Sequence, residues 1–244
     1  MSDPGLVCDG LDVSEANGPV LWSEVRKAGL RFAYVKANTG EGVADRLLHD
    51  HADGCDREGL LWGPYQFGLA DNDPLDDVDA LAKALKGRFF DLRPALDLET
   101  RNGLPAPKVL DWALGWGERA KVVWGRNPCL YFGLNFWRTL LREQPAYGPP
   151  FAPWTPWVAA YSNTFSQIQT APWGPVGLRQ WRGNTIWTDG SYGPRPKTKG
   201  ATVVVLPGRV PGVATECDLN RYVGSYDDLK RDHGLAVALP TLAG

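Results

Sequence analysis

The sequence predicts an α/β fold, an irregular TIM-like barrel of five β/α units followed by three strands. Short apolar runs alternate with longer amphipathic ones through the first 145 positions, at a spacing of roughly 25–35 residues per unit. Helical periodicity then stops near Ala146, and Pro, Gly and Trp become frequent. The length, 244 residues of which 43% are hydrophobic, is enough for one barrel with a substantial core. A doubly wound open sheet is the competing arrangement.

Leu6–Val13 reads as the first strand, and Leu21–Ala28 as a short helix stopped by Gly29. Phe32–Lys36 is the second strand, followed by a helix from Ala44 to Glu58 that Gly59 ends. Leu61–Phe67 is the third, and Pro74, tolerated in a first helical turn, opens a helix to Leu85. Arg93–Leu98 is the fourth strand, with Pro107 opening a long helix to Trp124. Cys129–Phe132 is the fifth, leading into a helix over Leu134–Glu143. Parallel strands need such crossovers, so these units imply a parallel sheet. The last three strands are Trp157–Tyr161, Val176–Trp181 and Ala214–Leu219, with few helical signals between them. Between the final two lies the long Gly- and Pro-rich segment Arg182–Val213, in which Thr202–Leu206 could add a hairpin strand. Residues 1–224 are expected to form the barrel, and 225–244 a short helix and tail.

Composition narrows the function. A net charge of −2 with scattered Lys and Arg gives no basic stripe for nucleic acid or an anionic membrane. No apolar run approaches the ~20 residues of a membrane span, and the start, Met-Ser-Asp-Pro-Gly, has no signal-peptide character. Four dispersed cysteines suggest reduced buried thiols; a Cys8–Cys217 contact is the alternative, because first and last strands adjoin in a closed barrel. Three His without a matching ligand set imply no metal, and no cofactor fingerprint is present. Eleven Trp is a high count, read either as core packing or as flat surfaces for sugar rings.

Barrel chemistry gathers at the carboxyl ends of the strands. Those ends carry Asp12, Lys36, Tyr65, Asp97 with Glu99, Tyr161, Gln180 with Trp181, and Asp218 with Asn220. Four acids at one rim repel one another and raise each other's pKa, which suits proton transfer. Strand residues two apart face one side, so Asp97 and Glu99 share the cleft while Leu96 and Leu98 pack outward. Such a pair can divide labour, one carboxyl giving a proton to a glycosidic oxygen and the other handling positive charge or a participating group. Lys36 is read as their ionic partner or a substrate contact, with a Schiff-base role as the alternative.

With these residues in hand, the chain resembles the lysozymes of glycoside hydrolase family 25. The resemblance rests on Gly10-Leu11-Asp12-Val13-Ser14, Phe32-Ala33-Tyr34-Val35-Lys36-Ala37, Gly63-Pro64-Tyr65-Gln66-Phe67, Leu96-Asp97-Leu98-Glu99, Trp157-Val158-Ala159-Ala160-Tyr161 and Asp218-Leu219-Asn220. It departs from the family pattern at Gln66, where a histidine is usual, and at Thr39, where the family's loop carries Glu. The resemblance implies an N-acetylmuramidase that cleaves the β-1,4 bond between N-acetylmuramic acid and N-acetylglucosamine in peptidoglycan. It assigns Glu99 as general acid/base and Asp97 to the substrate's acetamido group, with Asp12 and Asp218 tuning the pair. Tyr65, Tyr161, Gln180, Trp181 and Lys36 become substrate-binding candidates. A monomeric enzyme made in the cytoplasm and reaching the bacterial wall by holin-type release, as a phage endolysin would, is the expected setting. The alternative is a non-catalytic glycan-binding or phage structural barrel.

Overall fold

The computed structural model describes residues 7–40, 42–161, 168–183, 185–190 and 197–234. In chain order the elements are β1 (Val7–Val13), α1 (Trp22–Lys27), β2 (Phe32–Thr39), β3 (Val43–Ala44), α2 (Leu48–Glu58), β4 (Leu61–Phe67) and α3 (Pro74–Leu85). They continue with β5 (Ala95–Asp97), α4 (Ala106–Trp124), β6 (Cys129–Gly133), α5 (Leu134–Glu143), α6 (Gly148–Phe151) and β7 (Thr155–Ala159). The last third holds β8 (Ile168–Thr170), β9 (Gly174–Val176), β10 (Leu178–Arg182), β11 (Ile186–Trp187), β12 (Val203–Val205), β13 (Asp218–Val223) and α7 (Tyr226–His233).

Eight strands close the barrel in the order β1-β2-β4-β5-β6-β7-β10-β13, and β13 returns to β1. Neighbours run parallel except β13, which is antiparallel to both β1 and β10. Five β/α units are thus followed by three strands, as the sequence predicts. The helical crossovers give way to hairpins, β8–β9 before β10 and β11–β12 before β13. The Thr202–Leu206 run supplies β12, but the eighth strand begins at Asp218 rather than Ala214. Residues 214–217 instead form an irregular return anchored by Cys217 N–H to the Gly208 carbonyl at 3.1 Å.

Side-chain alternation sorts the core into two regions. Inside the barrel, Cys8, Phe32, Tyr34, Leu61, Ala95, Cys129, Tyr131, Trp157, Leu178 and Tyr222 pack together, with Leu92 and Leu229 of α7 at the lower end. Outside, Leu11, Val35, Leu96, Leu98, Leu130, Phe132 and Val158 meet the helices. Most of the tryptophans are packing groups. On α4, Trp112, Trp116 and Trp124 face the sheet, and Gly117 lets Trp154 approach so closely that a Cβ there would stand 1.8 Å from its ring. Such a contact lies inside any tolerable van der Waals distance, so only glycine fits.

All four cysteines are free and buried. The Cys8–Cys217 contact is corrected by register. Cys8 lies opposite Tyr222, whereas Cys217 precedes Asp218, which lies opposite Asp12 at the other end of the strand pair.

Candidate active site

Three interior layers build the site from below. Trp157 forms its floor, stacked on Tyr34 with centroids 4.4 Å apart and touched edgewise by Tyr131 at 4.6 Å and Tyr65 at 6.3 Å. The Trp157 indole N–H donates to Asn220 Oδ1 at 2.7 Å. Above the floor, Asn220 Nδ2 and Gln180 Nε2 both donate to Asp12 Oδ2, at 2.7 and 3.0 Å. The Gln180 carbonyl accepts from the Tyr131 and Tyr161 hydroxyls, each at 2.8 Å, and Tyr161 also stands 3.2 Å from Asp218 Oδ1.

The Asp97–Glu99 pair lies across the mouth. Asp97 ends β5 with 6% exposure, and its Oδ1 has no protein partner. Glu99 follows two residues on, close enough that each carboxyl shifts the titration of the other. Leu96 and Leu98 are buried in the outer cluster, as strand parity predicts. Glu99 lines a cleft of about 580 Å³ with Tyr131, Gly133, Phe136, Tyr161 and Ile186. That volume suits a small-molecule or sugar-ring site. Ile186 belongs to β11, so the segment after β10 reaches this wall.

Crowding of acids sets the electrostatics. Burial, reinforced by the Glu99 charge, holds the Asp97 carboxyl well above its ordinary range. Glu99 is raised by burial, opposed by Asp97's hydrogen bond and the Lys36 charge. Burial and Asp218 push Asp12 up against the pull of its two amide donors. Burial and the Glu99 charge bring Asp218 to about 6, with Tyr161's hydrogen bond acting the other way. Lys36 points inward with its Nζ 5.4 Å from the Phe67 ring centroid, and its charge acts on both members of the pair. Of the two, Asp97 is the more deeply buried, so desolvation penalises its charge more.

Asp12, Lys36, Tyr65, Asp97, Glu99, Tyr161, Gln180 and Asp218 therefore converge on one end of the barrel. Trp181 does not. It alternates with Gln180, faces outward, and is held between the Arg182 and Arg221 guanidinium groups, 4.5 and 4.7 Å from its ring. Gln180 is 2% exposed with its amide committed to protein partners, a placement unlike that of a sugar-binding group. Gln66 points out of the barrel and is fully buried, bonded to the Gly40 and Asp77 carbonyls and the Trp116 indole. Gln66 thus braces α3 and α4 and does not reach the cleft.

Tyr131, Trp157 and Gly183 complete the site without having been singled out. Strand parity carried a signal for the first two, since Tyr131 shares the inward face with Cys129, and Trp157 with Ala159 and Tyr161. Gly183 gave none. It follows a bulge in β10, and a Cβ there would lie 2.2 Å from Asp218 Oδ1 and 2.3 Å from the Tyr161 hydroxyl.

The profile of glycosyl hydrolases family 25 matches residues 11–190. The chain is 26% identical over 228 residues to lysozyme M1 of Streptomyces globisporus, covering 88% of this chain and 68% of that one. The crystal structure of a bacterial lysozyme from Streptomyces coelicolor superposes with a TM-score of 0.72 at 22% identity, over 93% of this chain and 96% of that one. The catalytic domain of endolysin ply40 from bacteriophage P40 of Listeria monocytogenes gives 0.65 at 20% identity, over 94% and 98%. With the profile spanning most of the barrel and the rim acids Asp12, Asp97 and Glu99, the chain belongs to glycoside hydrolase family 25.

Proposed function

We propose that this glycoside hydrolase cuts peptidoglycan at the β-1,4 bond between N-acetylmuramic acid and N-acetylglucosamine, using Glu99 as general acid/base and Asp97 to manage the substrate's 2-acetamido group. The observation that carries this reading is the placement of the two carboxyls at one strand end, Glu99 on the cleft wall and Asp97 buried with its Oδ1 left without a protein partner. Asp97 is therefore placed to take a substrate N–H rather than to attack the anomeric carbon; a participating acetamido group then supplies the nucleophile.

The acetamido N–H bonds most strongly to an ionised acceptor. Its arrival at Asp97 therefore favours the ionised carboxylate there and leaves the pair's proton on Glu99, which is thereby armed as an acid. Glu99 then protonates the glycosidic oxygen as the bond to the anomeric carbon breaks and the acetamido carbonyl oxygen bonds to that carbon. Ionised Asp97 holds the amide and its developing positive charge. In the second step water adds to the anomeric carbon, gives a proton to Glu99 and releases the acetamido oxygen. Asp12 and Asp218 add negative potential around the oxocarbenium-like centre, and Tyr65 and Tyr161 offer ring faces and hydroxyls at the rim.

The lysozyme and endolysin relatives support a cell-wall site of action. Among the described residues no helix is long and apolar enough to cross a membrane. Delivery by a holin-type partner and action as a monomer are further parts of the proposal. Digestion of purified peptidoglycan, borohydride labelling and mass spectrometry of the new ends test it. Labelled muramic acid ends are expected; labelled glucosamine ends would move the cut to the other bond, and no new ends would overturn the activity.

A further inference from the structure

Building on that reading, we propose that Asn220 is a positioning residue that aims Asp12 at the cleft, through a brace running from Trp157 to Asn220 to Asp12. Asn220 is fully buried, so its contacts are all within the protein. An asparagine amide could face either way, but an indole N–H can only donate. Trp157 Nε1 lies 2.7 Å from Asn220 Oδ1, which fixes that atom as the acceptor and turns Nδ2 toward Asp12 Oδ2, also at 2.7 Å.

Trp157 is itself immobile, wedged among Tyr34, Tyr65 and Tyr131 and 1% exposed. The aromatic floor thus transmits a fixed direction to the rim. Gln180 adds the second donor to the same Asp12 oxygen and is pinned by two tyrosine hydroxyls. Both amides hold Asp12 Oδ2 inward, leaving the other carboxylate oxygen for the substrate side. Register reinforces this, because Asn220 lies on β13 opposite Gly10, two residues before Asp12 on the same face of β1. A carboxylate without these donors would swing toward solvent, away from its like-charged neighbour Asp218.

The test is a double-mutant cycle on peptidoglycan turnover. Asn220→Ala is expected to lower kcat by roughly 10–100-fold, the effect of losing a hydrogen bond to a charged group, with KM changed less than about 3-fold. In an Asp12→Asn background the same change should cost less than about 3-fold, since a residue acting through Asp12 has nothing left to aim. Trp157→Phe keeps an aromatic side chain in the floor, removes the N–H donor, and should reproduce part of the loss in kcat. Should Asn220→Ala not fold, Trp157→Phe replaces it in the cycle. A rise in KM at constant kcat would make Asn220 a sugar contact, and full additivity with Asp12→Asn would make it merely structural; either overturns the proposal.

A wild type without turnover would sink the muramidase reading alone. The brace would then be decided by ¹⁵N NMR of the Asn220 side-chain amide. Its signal should be protected from exchange and should shift in both Asp12→Asn and Trp157→Phe. A signal that ignores both changes would refute the brace.

Discussion

Replacing Gly183 by alanine would set a methyl carbon 2.2 Å from Asp218 Oδ1 and 2.3 Å from the Tyr161 hydroxyl. Comfortable carbon–oxygen contact begins near 3.4 Å, so each oxygen would have to retreat by about 1 Å. Neither side yields easily. The Gly183 carbonyl accepts the Gly208 N–H at 2.7 Å, and Tyr161 is tied to Gln180 at 2.8 Å. The weakest link is the 3.2 Å contact between Tyr161 and Asp218, which would open. Overpacking of this kind costs about 1–3 kcal/mol, which is roughly 2–12 °C in melting temperature for a chain of this size. Loss of one hydrogen bond to a charged acceptor should also lower kcat by about 10-fold. Thermal melts and reducing-end release, read on one preparation, measure both effects. An alanine variant with wild-type melting and wild-type turnover would refute the claimed contact between Gly183 and the site.

Asp218 is raised from its ordinary 3.8 to about 6, so between these values the folded chain binds more protons than the unfolded one. That group's contribution to stability is complete below pH 4 and is lost as pH rises through 6, by on the order of 1–3 kcal/mol. Asp218→Asn should therefore melt higher than wild type at pH 7–8 and lose the advantage near pH 4; a variant that melts lower at neutral pH would reverse the sign. Trp181→Ala should leave kcat and KM on peptidoglycan within about 2-fold, because the ring stacks between two arginines outside the barrel, while stability falls by roughly 0.5–2 kcal/mol. A large rise in KM would return Trp181 to the cleft.

Much of this site was legible because strand alternation is rigid. Asp97 and Glu99 share a face with their intervening leucine outside, and Asp12 lies near the end of β1, as strand-end reading predicts; Asp218 instead begins β13 and meets Asp12 only because that strand runs antiparallel. The same rule, carried one residue further, separates Gln180 from Trp181, and there chemical suggestiveness overrode geometry. Helices opened by proline were well marked, α3 starting at Pro74 and α4 one residue before Pro107. Strand limits in the last third were not, because Leu178 follows a bend and Asp218 an irregular return rather than a change in hydrophobicity. Gly183 was invisible for the same reason: its role arises from a close approach between segments far apart in sequence.

Glu99→Gln, read by reducing-end mass spectrometry on peptidoglycan, tests the account most directly. The change keeps the shape and removes the proton, so the account predicts a fall in turnover of about 10²–10⁴-fold. Melting should stay at or above that of wild type, since a charge crowded by Asp97 and the other rim acids has been removed. A folded Glu99→Gln protein that still releases muramic acid ends at the wild-type rate would contradict it.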